Sequence, residues 1–223
     1  MPTKDDTSTR DRLLEAARAA FADKGYHRAT VAEICKRAGA NIAAVNYYFR
    51  SKEGLYVEAW REAFARSLAA HPPDGGVAAD APPEDRLRAR ILAMMRRVAD
   101  PKSQEIDIIH KELAAPTGLL ADVMTRMIEP VREGFAAVVR DLLGQGASSR
   151  RALLCQRSIT TQCIHFTLRE RYHRTAAGGP RRPGGPALGL DVETIADHVY
   201  RFSLEAIRGI RRAVERGDLA DRE

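Results

Sequence analysis

Apolar residues recur along the chain at the spacing of α-helices, and no stretch of useful length alternates with the two-residue period of a strand. The pattern therefore predicts an all-α protein, in which glycine and proline separate the helical segments. The helices are expected at about residues 9–24, 31–38, 42–49, 52–70, 84–99, 102–114, 118–143, 148–173 and 191–216.

The clearest interruption of this pattern is the stretch 71–83, which is rich in Pro, Gly and Ala. It predicts a linker between an N-terminal domain over residues 9–70 and a larger helical domain over residues 84–217. Residues 1–8 are polar and charged, which predicts a flexible N-terminal arm. The Gly and Pro content of residues 174–190 predicts a flexible loop within the second domain.

The residue types between the second and third helices specify a tight turn. Thr30 and Glu33 form a capping box, in which the hydroxyl and the carboxylate each satisfy a backbone N–H group at the helix start. Gly39 suits the left-handed residue that ends this helix, and Asn41 is a good N-cap for the next one. Two short helices joined in this way are typical of a helix-turn-helix, although an ordinary helical hairpin has the same pattern.

The third helix carries few residues that a packed interior requires. Ile42, Val45 and Phe49 form one apolar stripe, which we expect to pack on the second helix. Six basic residues and one acidic residue fall between Lys24 and Lys52. Small, amide and phenol side chains suit a nucleic-acid groove, and the basic excess suits a polyanion. The third helix carries such small, amide and phenol side chains at Ala43, Ala44, Asn46, Tyr47 and Tyr48.

Residues 9–60 resemble the DNA-binding domain of the TetR family of transcriptional regulators. Three motifs carry the resemblance: AAxxxFAxxGY over 16–26, TVAEICxxAG over 30–39 and NYYFRSKEGLY over 46–56. The resemblance implies a three-helix DNA-binding domain, linked by a fourth helix to a helical domain that binds a small-molecule effector and forms a homodimer. Many members carry an aromatic residue where this chain has Asn46, so Asn46 either contacts a base or only shapes the helix end.

On this basis we expect a repressor that leaves a palindromic double-stranded DNA operator when an effector binds. Thr30 and the start of its helix are expected to contact phosphate, while Ala43, Ala44 and Asn46 face the bases. Tyr47, Tyr48 and Lys52 are expected to contact the DNA backbone. A non-specific architectural DNA-binding protein would share the basic face and is the first alternative.

The second domain resembles the YbiH-like subgroup of the family more weakly, through residues 109–117 and 161–166. The polar residues of these segments are candidates for effector contacts, or else are satisfied inside a helical core. Residues two apart on one helix point in different directions, which excludes a simple catalytic dyad from either segment. The candidates for ligand contacts are His110, Glu112, Gln162, His165 and Phe166.

The last helix keeps an apolar stripe for six turns. The family resemblance implies that the last two helices pair with their copies in a second subunit, whereas the stripe alone also fits packing within one subunit. The candidates for dimer contacts are Ile195, Val199, Phe202, Ala206 and Ile210.

Composition narrows the remaining function classes. The net charge of +6 and the pI near 9.5 permit a polyanion partner without selecting one. No apolar run suits a signal peptide or a membrane span, so we expect a cytoplasmic protein with no membrane partner.

The three cysteines have no C-x-x-C spacing and predict buried free thiols, with a redox pair of Cys155 and Cys163 as the minority alternative. No catalytic motif is present, so neither an enzyme, a cofactor nor a bound metal is predicted, and a metal sensor or enzyme built on the C-terminal helices is the weakest alternative.

Overall fold

The computed structural model describes residues 4–175 and 188–219, with side chains over 9–173 and 188–219. In these ranges every regular element is an α-helix, and the predicted all-α class is confirmed. The elements are α1 Lys4–Arg28, α2 Val31–Ala38, α3 Ile42–Phe49, α4 Lys52–Ala70, α5 Pro83–Ala99, α6 Gln104–Ala114, α7 Ala121–Leu143, α8 Ser149–Thr175 and α9 Val192–Glu215. Most of the loop expected over 174–190 lies outside the described residues. Each helix in the described part of the chain is too short or too polar to cross a bilayer.

The helix ends around α2 and α3 follow the local sequence. Thr30 Oγ1 accepts a hydrogen bond from Glu33 N at 3.2 Å, and Asn41 Oδ1 accepts one from Ala44 N at 3.0 Å. Gly39 ends α2 with φ 61°, as its residue type predicts. The second half of the expected capping box is different, because the Glu33 carboxylate accepts from Lys24 Nζ at 2.6 Å instead of returning to Thr30.

The helix α1 begins earlier than the apolar pattern indicates. Its first residue is Lys4, so the backbone of residues 4–8 is helical where a flexible arm was expected. At the other end, Gly25 interrupts the helical backbone with φ 73° and ψ 173°, at the position predicted to stop the helix.

The chain forms two compact units, and neither is continuous in sequence. The first unit comprises the chain up to Ala70 together with Lys102–Ile128, and the second comprises His71–Pro101 together with the chain from Glu129 onward. The first unit therefore contains α6, which the sequence had assigned to the second domain. Within that unit α6 packs against α1 and α4.

Polar and apolar contacts both hold α6 in the first unit. Arg18 of α1 is almost fully buried and donates from Nε to Gln104 Oε1 of α6 at 3.1 Å. The hydroxyl groups of Ser67 and Ser103 are hydrogen bonded at 3.0 Å in a buried position. The first unit also contains an apolar core that includes Phe21, Leu55, Tyr56, Trp60, Phe64, Ile108 and Leu120.

The second unit packs α5, α8, α9 and the later part of α7 around one apolar core. The segment 71–83, expected as a linker, is part of this unit. His71 Nε2 lies 2.9 Å from Asp100 Oδ2, and Arg90 donates to Pro73 O at 3.5 Å. A Cβ added at Gly75 would lie 3.0 Å from the Ala89 side chain, so this turn is packed closely against α5.

Candidate nucleic-acid interface

The helix α3 buries one narrow stripe and exposes the rest of its surface. Val45 and Phe49 are almost fully buried in the first unit. Ala43, Asn46 and Tyr47 are exposed, and the Tyr47 side chain is 74% exposed. Ala44 and Tyr48 are half-buried. A helix with small, amide and phenol side chains on its free face is suited to a DNA major groove.

Ile42 departs from the predicted packing stripe, because its side chain is 54% exposed. The helical period gives the right angular position for Ile42, but this residue begins an eight-residue helix. At this end of α3 the Ile42 side chain is consequently not covered as the Val45 and Phe49 side chains are. The sequence-based assignment of Ile42 to the interior was wrong, and Ile42 joins the exposed end of α3. The first residues of a recognition helix are those that reach base edges, and an apolar side chain there suits a thymine methyl group.

The basic side chains of α1 and α2 differ in exposure and pairing. Lys24 is paired with Glu33, whereas Lys36 and Arg37 are exposed at the end of α2. Thr30 is exposed at the start of α2, and its hydroxyl oxygen already accepts from Glu33 N. Its O–H group can therefore still donate to a phosphate oxygen.

The turn between α3 and α4 has an unusual backbone. Arg50 has φ 68° and ψ −35°, and in the described ranges no other residue besides glycine has a positive φ. Its N–H donates to Asn46 O at 3.1 Å and closes the last turn of α3. Ser51 Oγ then accepts from Gly54 N at 3.2 Å and caps α4. The two helices are thereby joined through a conformation that non-glycine residues adopt only at some energetic cost.

Gly54 allows the two helices to meet at this turn. A Cβ atom added at Gly54 would lie 2.1 Å from the carbonyl oxygen of Phe49, which belongs to the backbone of α3. No side chain fits at that distance, so residue 54 has to be glycine for α4 to begin where it does.

The first turn of α4 is also tied to the end of α1. Lys52 Nζ lies 4.3 Å from the centre of the Tyr26 ring, and the Tyr26 hydroxyl donates to Glu53 Oε1 at 2.6 Å. Burial, followed by the hydrogen bond to Glu53, raises the pKa of Tyr26 to about 12. The hydrogen bonds from Tyr26 and Ser51 lower the pKa of Glu53 to about 2. Tyr26 is the last residue of the motif over 16–26, which assigns it no role, although an aromatic residue after a helix-ending glycine is a usable signal.

Glu112 has a structural role in the first unit. Its carboxylate accepts from Tyr56 Oη at 2.9 Å, from Thr117 N and Oγ1 at 2.8 Å each, and from Gly118 N at 3.1 Å. Burial alone would raise the pKa of Glu112, but the hydrogen bonds from Thr117, Tyr56 and Gly118 outweigh it and lower the pKa. The pKa of Tyr56 is raised by its own burial, then by its hydrogen bond to Glu112 and by the charge of that carboxylate.

The other candidate ligand residues are divided between the units. His110 is exposed on α6 of the first unit, whereas Gln162, His165 and Phe166 belong to α8 of the second. His165 is exposed, and only Phe166 packs against the core of that unit. Gln162 donates to Ser158 O at 3.3 Å and lines a groove of about 450 Å³ between α8 and α9. Neither unit therefore contains all five of the residues predicted to contact a ligand.

The cysteines do not support a redox pair. Cys155 and Cys163 are both buried on α8, and eight positions along a helix separate their backbones by about 12 Å, too far for a disulfide. Burial raises the pKa of both thiols, that of Cys163 to about 12, so neither is a reactive thiolate. In the described ranges no group of three or more His, Cys, Asp or Glu side chains is arranged to hold a metal ion.

The predicted dimer stripe of α9 separates into two faces. Ile195 and Val199 are buried in the core of the second unit, so their side chains pack within the chain and are not part of its exposed apolar face. Phe202, Ala206 and Ile210 line the α8–α9 groove, and the Phe202 side chain is 59% exposed. The apolar stripe is wider than one interface, because α9 packs inside the subunit and also offers an apolar face outside it.

Comparison with known proteins agrees with this architecture. A family model described as the C-terminal domain of the HTH-type transcriptional dual regulator CecR matches residues 83–207, more than half of the chain. A second model, bacterial regulatory proteins of the tetR family, matches residues 13–59 and so includes the whole helix-turn-helix. The fold and the exposed α3 face define a helix-turn-helix DNA-binding transcriptional regulator.

The chain belongs to the TetR family, as the three N-terminal motifs predicted. It is 29% identical to CecR of Shigella flexneri over 167 residues, which cover 70% of this chain and 74% of that protein. A transcriptional regulator from Pseudomonas aeruginosa PAO1 has the same fold with a TM-score of 0.72 and 18% identity, covering 92% and 93% of the two chains. Bacillus subtilis FadR in complex with stearoyl-CoA matches with a TM-score of 0.65 and 16% identity, covering 87% of this chain and 97% of FadR. The proteins matched are regulators, which is the class predicted in place of an enzyme.

Proposed function

We propose that this protein is a homodimeric repressor that binds a palindromic operator in the bacterial cytoplasm and leaves it when a small-molecule effector binds. The observation that carries the proposal is the exposed α3 face, together with the exposed Thr30 before α2 and Lys52 in the first turn of α4. Helix N-termini and lysine side chains bind phosphates, while an exposed recognition helix contacts base edges. CecR is named a dual regulator, so activation at some promoters is compatible with the same DNA contacts.

The proposed DNA contacts divide into two kinds. Asn46, with Ala43 and Ala44, faces the bases, and Ile42 is added to this group because of its exposure. The second group contacts the DNA backbone and consists of Thr30, Tyr47, Tyr48 and Lys52. Only the first group is expected to carry sequence information.

Two substitutions distinguish these groups. Lys52→Ala removes one phosphate contact, so it should weaken binding equally on all sequences and lower the slope of log affinity against log salt by about one unit. Asn46→Ala should instead change the preferred sequence and leave the slope unchanged. Both are measured by fluorescence anisotropy over a salt series. An unchanged slope for Lys52→Ala would show that α4 is not docked on phosphate.

We place the dimer contact on the outer face of α8 and α9, where Leu154, Phe202, Ala206 and Ile210 form an apolar groove. A two-fold dimer suits the palindrome, because recognition helices have to lie about 34–36 Å apart to enter successive major grooves. The family of the chain supports this arrangement, in which the last two helices of each subunit form a four-helix bundle.

Phe202→Glu should convert the dimer to a monomer, because burying an unpaired carboxylate in an apolar interface costs several kcal/mol. Analytical ultracentrifugation measures the change, and affinity for a two-half-site duplex should fall by at least about tenfold. Leu113→Glu is the matched control, because Leu113 is a 74% exposed apolar residue of the first unit. A Phe202→Glu protein that remains dimeric would rule out this face.

The experiment that tests the whole proposal is selection of genomic fragments by the full-length protein at about 150 mM salt, which weakens purely electrostatic binding. Enrichment of a pseudo-palindrome with half-sites about one helical turn apart supports the repressor. Binding without enrichment supports a non-specific architectural protein instead. Genes beside the enriched sites then indicate effectors to test, acyl-CoA thioesters among them because FadR of Bacillus subtilis binds stearoyl-CoA.

A further inference from the structure

Residues of opposite charge stand side by side at the start of α4. Lys52 carries the ammonium group proposed to bind phosphate, and Glu53 is an exposed carboxylate in the same helical turn. A carboxylate next to a phosphate-binding lysine lowers the local positive potential and repels the DNA backbone. The flexible lysine chain also loses rotamer entropy when it binds. Both effects work against DNA binding unless another group counters them.

Tyr26 contacts both residues from the opposite side of the turn. Its hydroxyl donates to Glu53 Oε1 at 2.6 Å, which directs one carboxylate oxygen towards α1. Its ring lies 4.3 Å from Lys52 Nζ, within the range of a cation–π interaction. The ammonium group is therefore held at the turn before DNA arrives, and it keeps N–H groups that the ring does not occupy.

The Tyr26 ring is itself fixed by its neighbours. Its centre lies 5.1 Å from the Tyr56 ring of α4 and 6.5 Å from the Phe21 ring of α1. Gly25 precedes it with φ 73°, so the chain changes direction immediately before the ring. A ring held in this way has little freedom to move with the lysine, which is the requirement for a positioning residue.

We propose that Tyr26 is a positioning residue for phosphate binding at the start of α4. It restrains the Lys52 ammonium group through its ring and holds the Glu53 carboxylate through its hydroxyl, without contacting DNA itself. The inference rests on the proposed phosphate contact of Lys52. It differs from a purely structural role of Tyr26 because it predicts a change in the salt dependence of DNA binding, which a loss of packing alone does not alter.

The test uses the full-length protein and a mixed-sequence duplex of about 30 base pairs, because phosphate contacts do not depend on sequence. Affinity is measured over a salt series for Tyr26→Phe, Tyr26→Leu, Lys52→Ala and two double variants, Tyr26→Phe with Glu53→Gln and Tyr26→Leu with Lys52→Ala. Tyr26→Phe keeps the ring, so the salt slope should stay unchanged while affinity falls about two- to fivefold through the released carboxylate. Adding Glu53→Gln to Tyr26→Phe should restore that loss.

Tyr26→Leu removes both contacts and should lower the salt slope towards that of Lys52→Ala, a difference of up to about 0.9 for one phosphate. In the double variant Tyr26→Leu with Lys52→Ala, the slope should be no lower than in Lys52→Ala alone. If Tyr26→Leu is unfolded by circular dichroism, pentafluorophenylalanine in place of Tyr26 keeps the ring volume and removes the attraction for a cation.

The outcomes separate two failures. If Lys52→Ala lowers the slope but loss of the Tyr26 ring does not, the positioning role is wrong and the docking of Lys52 stands. If Lys52→Ala leaves the slope unchanged, the proposed phosphate contact is wrong, and the positioning role falls with it.

Discussion

Replacing Gly54 with alanine is expected to abolish measurable operator binding and to lower the thermal stability of the protein. The added Cβ atom would lie 2.1 Å from Phe49 O, a backbone atom that cannot rotate away. Forcing extra volume into such a site costs about 1–3 kcal/mol or more, which exceeds the roughly 1 kcal/mol that alanine gains over glycine in a helix. The clash lies between α3 and α4, so relief of the strain moves the recognition helix relative to Lys52.

Calorimetry and anisotropy on one preparation measure both effects of Gly54→Ala. Each kcal/mol of lost stability should lower the melting temperature by about 2–4 °C in a chain of this size. Ser51→Ala is the control within the same turn, since it removes the hydroxyl that accepts from Gly54 N at 3.2 Å but adds no volume. Ser51→Ala should lower the free energy of unfolding by about 1 kcal/mol and leave DNA affinity nearly unchanged. Wild-type binding by Gly54→Ala would mean that this turn tolerates rearrangement.

Glu112→Gln should destabilise the first unit by about 2 kcal/mol, because hydrogen bonds to a charged acceptor contribute more than neutral ones. The carboxylate accepts from Tyr56, Thr117 and Gly118, so a glutamine amide would place its NH₂ group against a donor. Tyr56→Phe is the matched control, since it removes one donor and retains the charge. Tyr56→Phe should lower the free energy of unfolding by less than Glu112→Gln does.

The effect of Glu112→Gln should depend on pH. The folded protein lowers the pKa of Glu112 below its usual value of about 4.3, so the carboxylate contributes stability above that pH. This contribution is lost as pH falls through the folded-state pKa. The difference in unfolding free energy between wild type and Glu112→Gln should therefore be largest near neutral pH and shrink below about pH 4. Urea titrations at several pH values measure it, and a difference that stays constant would mean that the charge contributes nothing.

Local residue types determined the features that sequence analysis predicted best. The caps at Thr30 and Asn41 and the left-handed Gly39 depend on side chains within a few positions, so composition alone specifies the turn. The packing of α6 against α1 and α4 depends on distant segments, and a helical period does not reveal which neighbour an apolar face will meet. For this reason the domain boundary at 71–83 did not anticipate the discontinuous units.

The candidate site shows the same limit. Periodicity correctly placed Val45 inside and Tyr47 outside, but it gives an angle around the helix and not the distance to the helix end, so Ile42 was misassigned. On α9 it could not distinguish the face buried within the subunit, at Ile195, from the outer face at Phe202. Tyr26 acts on Lys52 across 26 positions of sequence, which no local pattern reveals.

The discontinuous first unit also has a consequence for synthesis on the ribosome. The helix-turn-helix emerges first, but α6 and the residues that follow it to Ile128 are made much later. Until then Arg18 lacks Gln104 and Tyr56 lacks Glu112. A nascent chain therefore cannot complete its first unit until it has also made His71–Pro101, the first segment of the second unit. A chimaera cut at residue 70 would carry the recognition helix but leave behind the helix that completes its support.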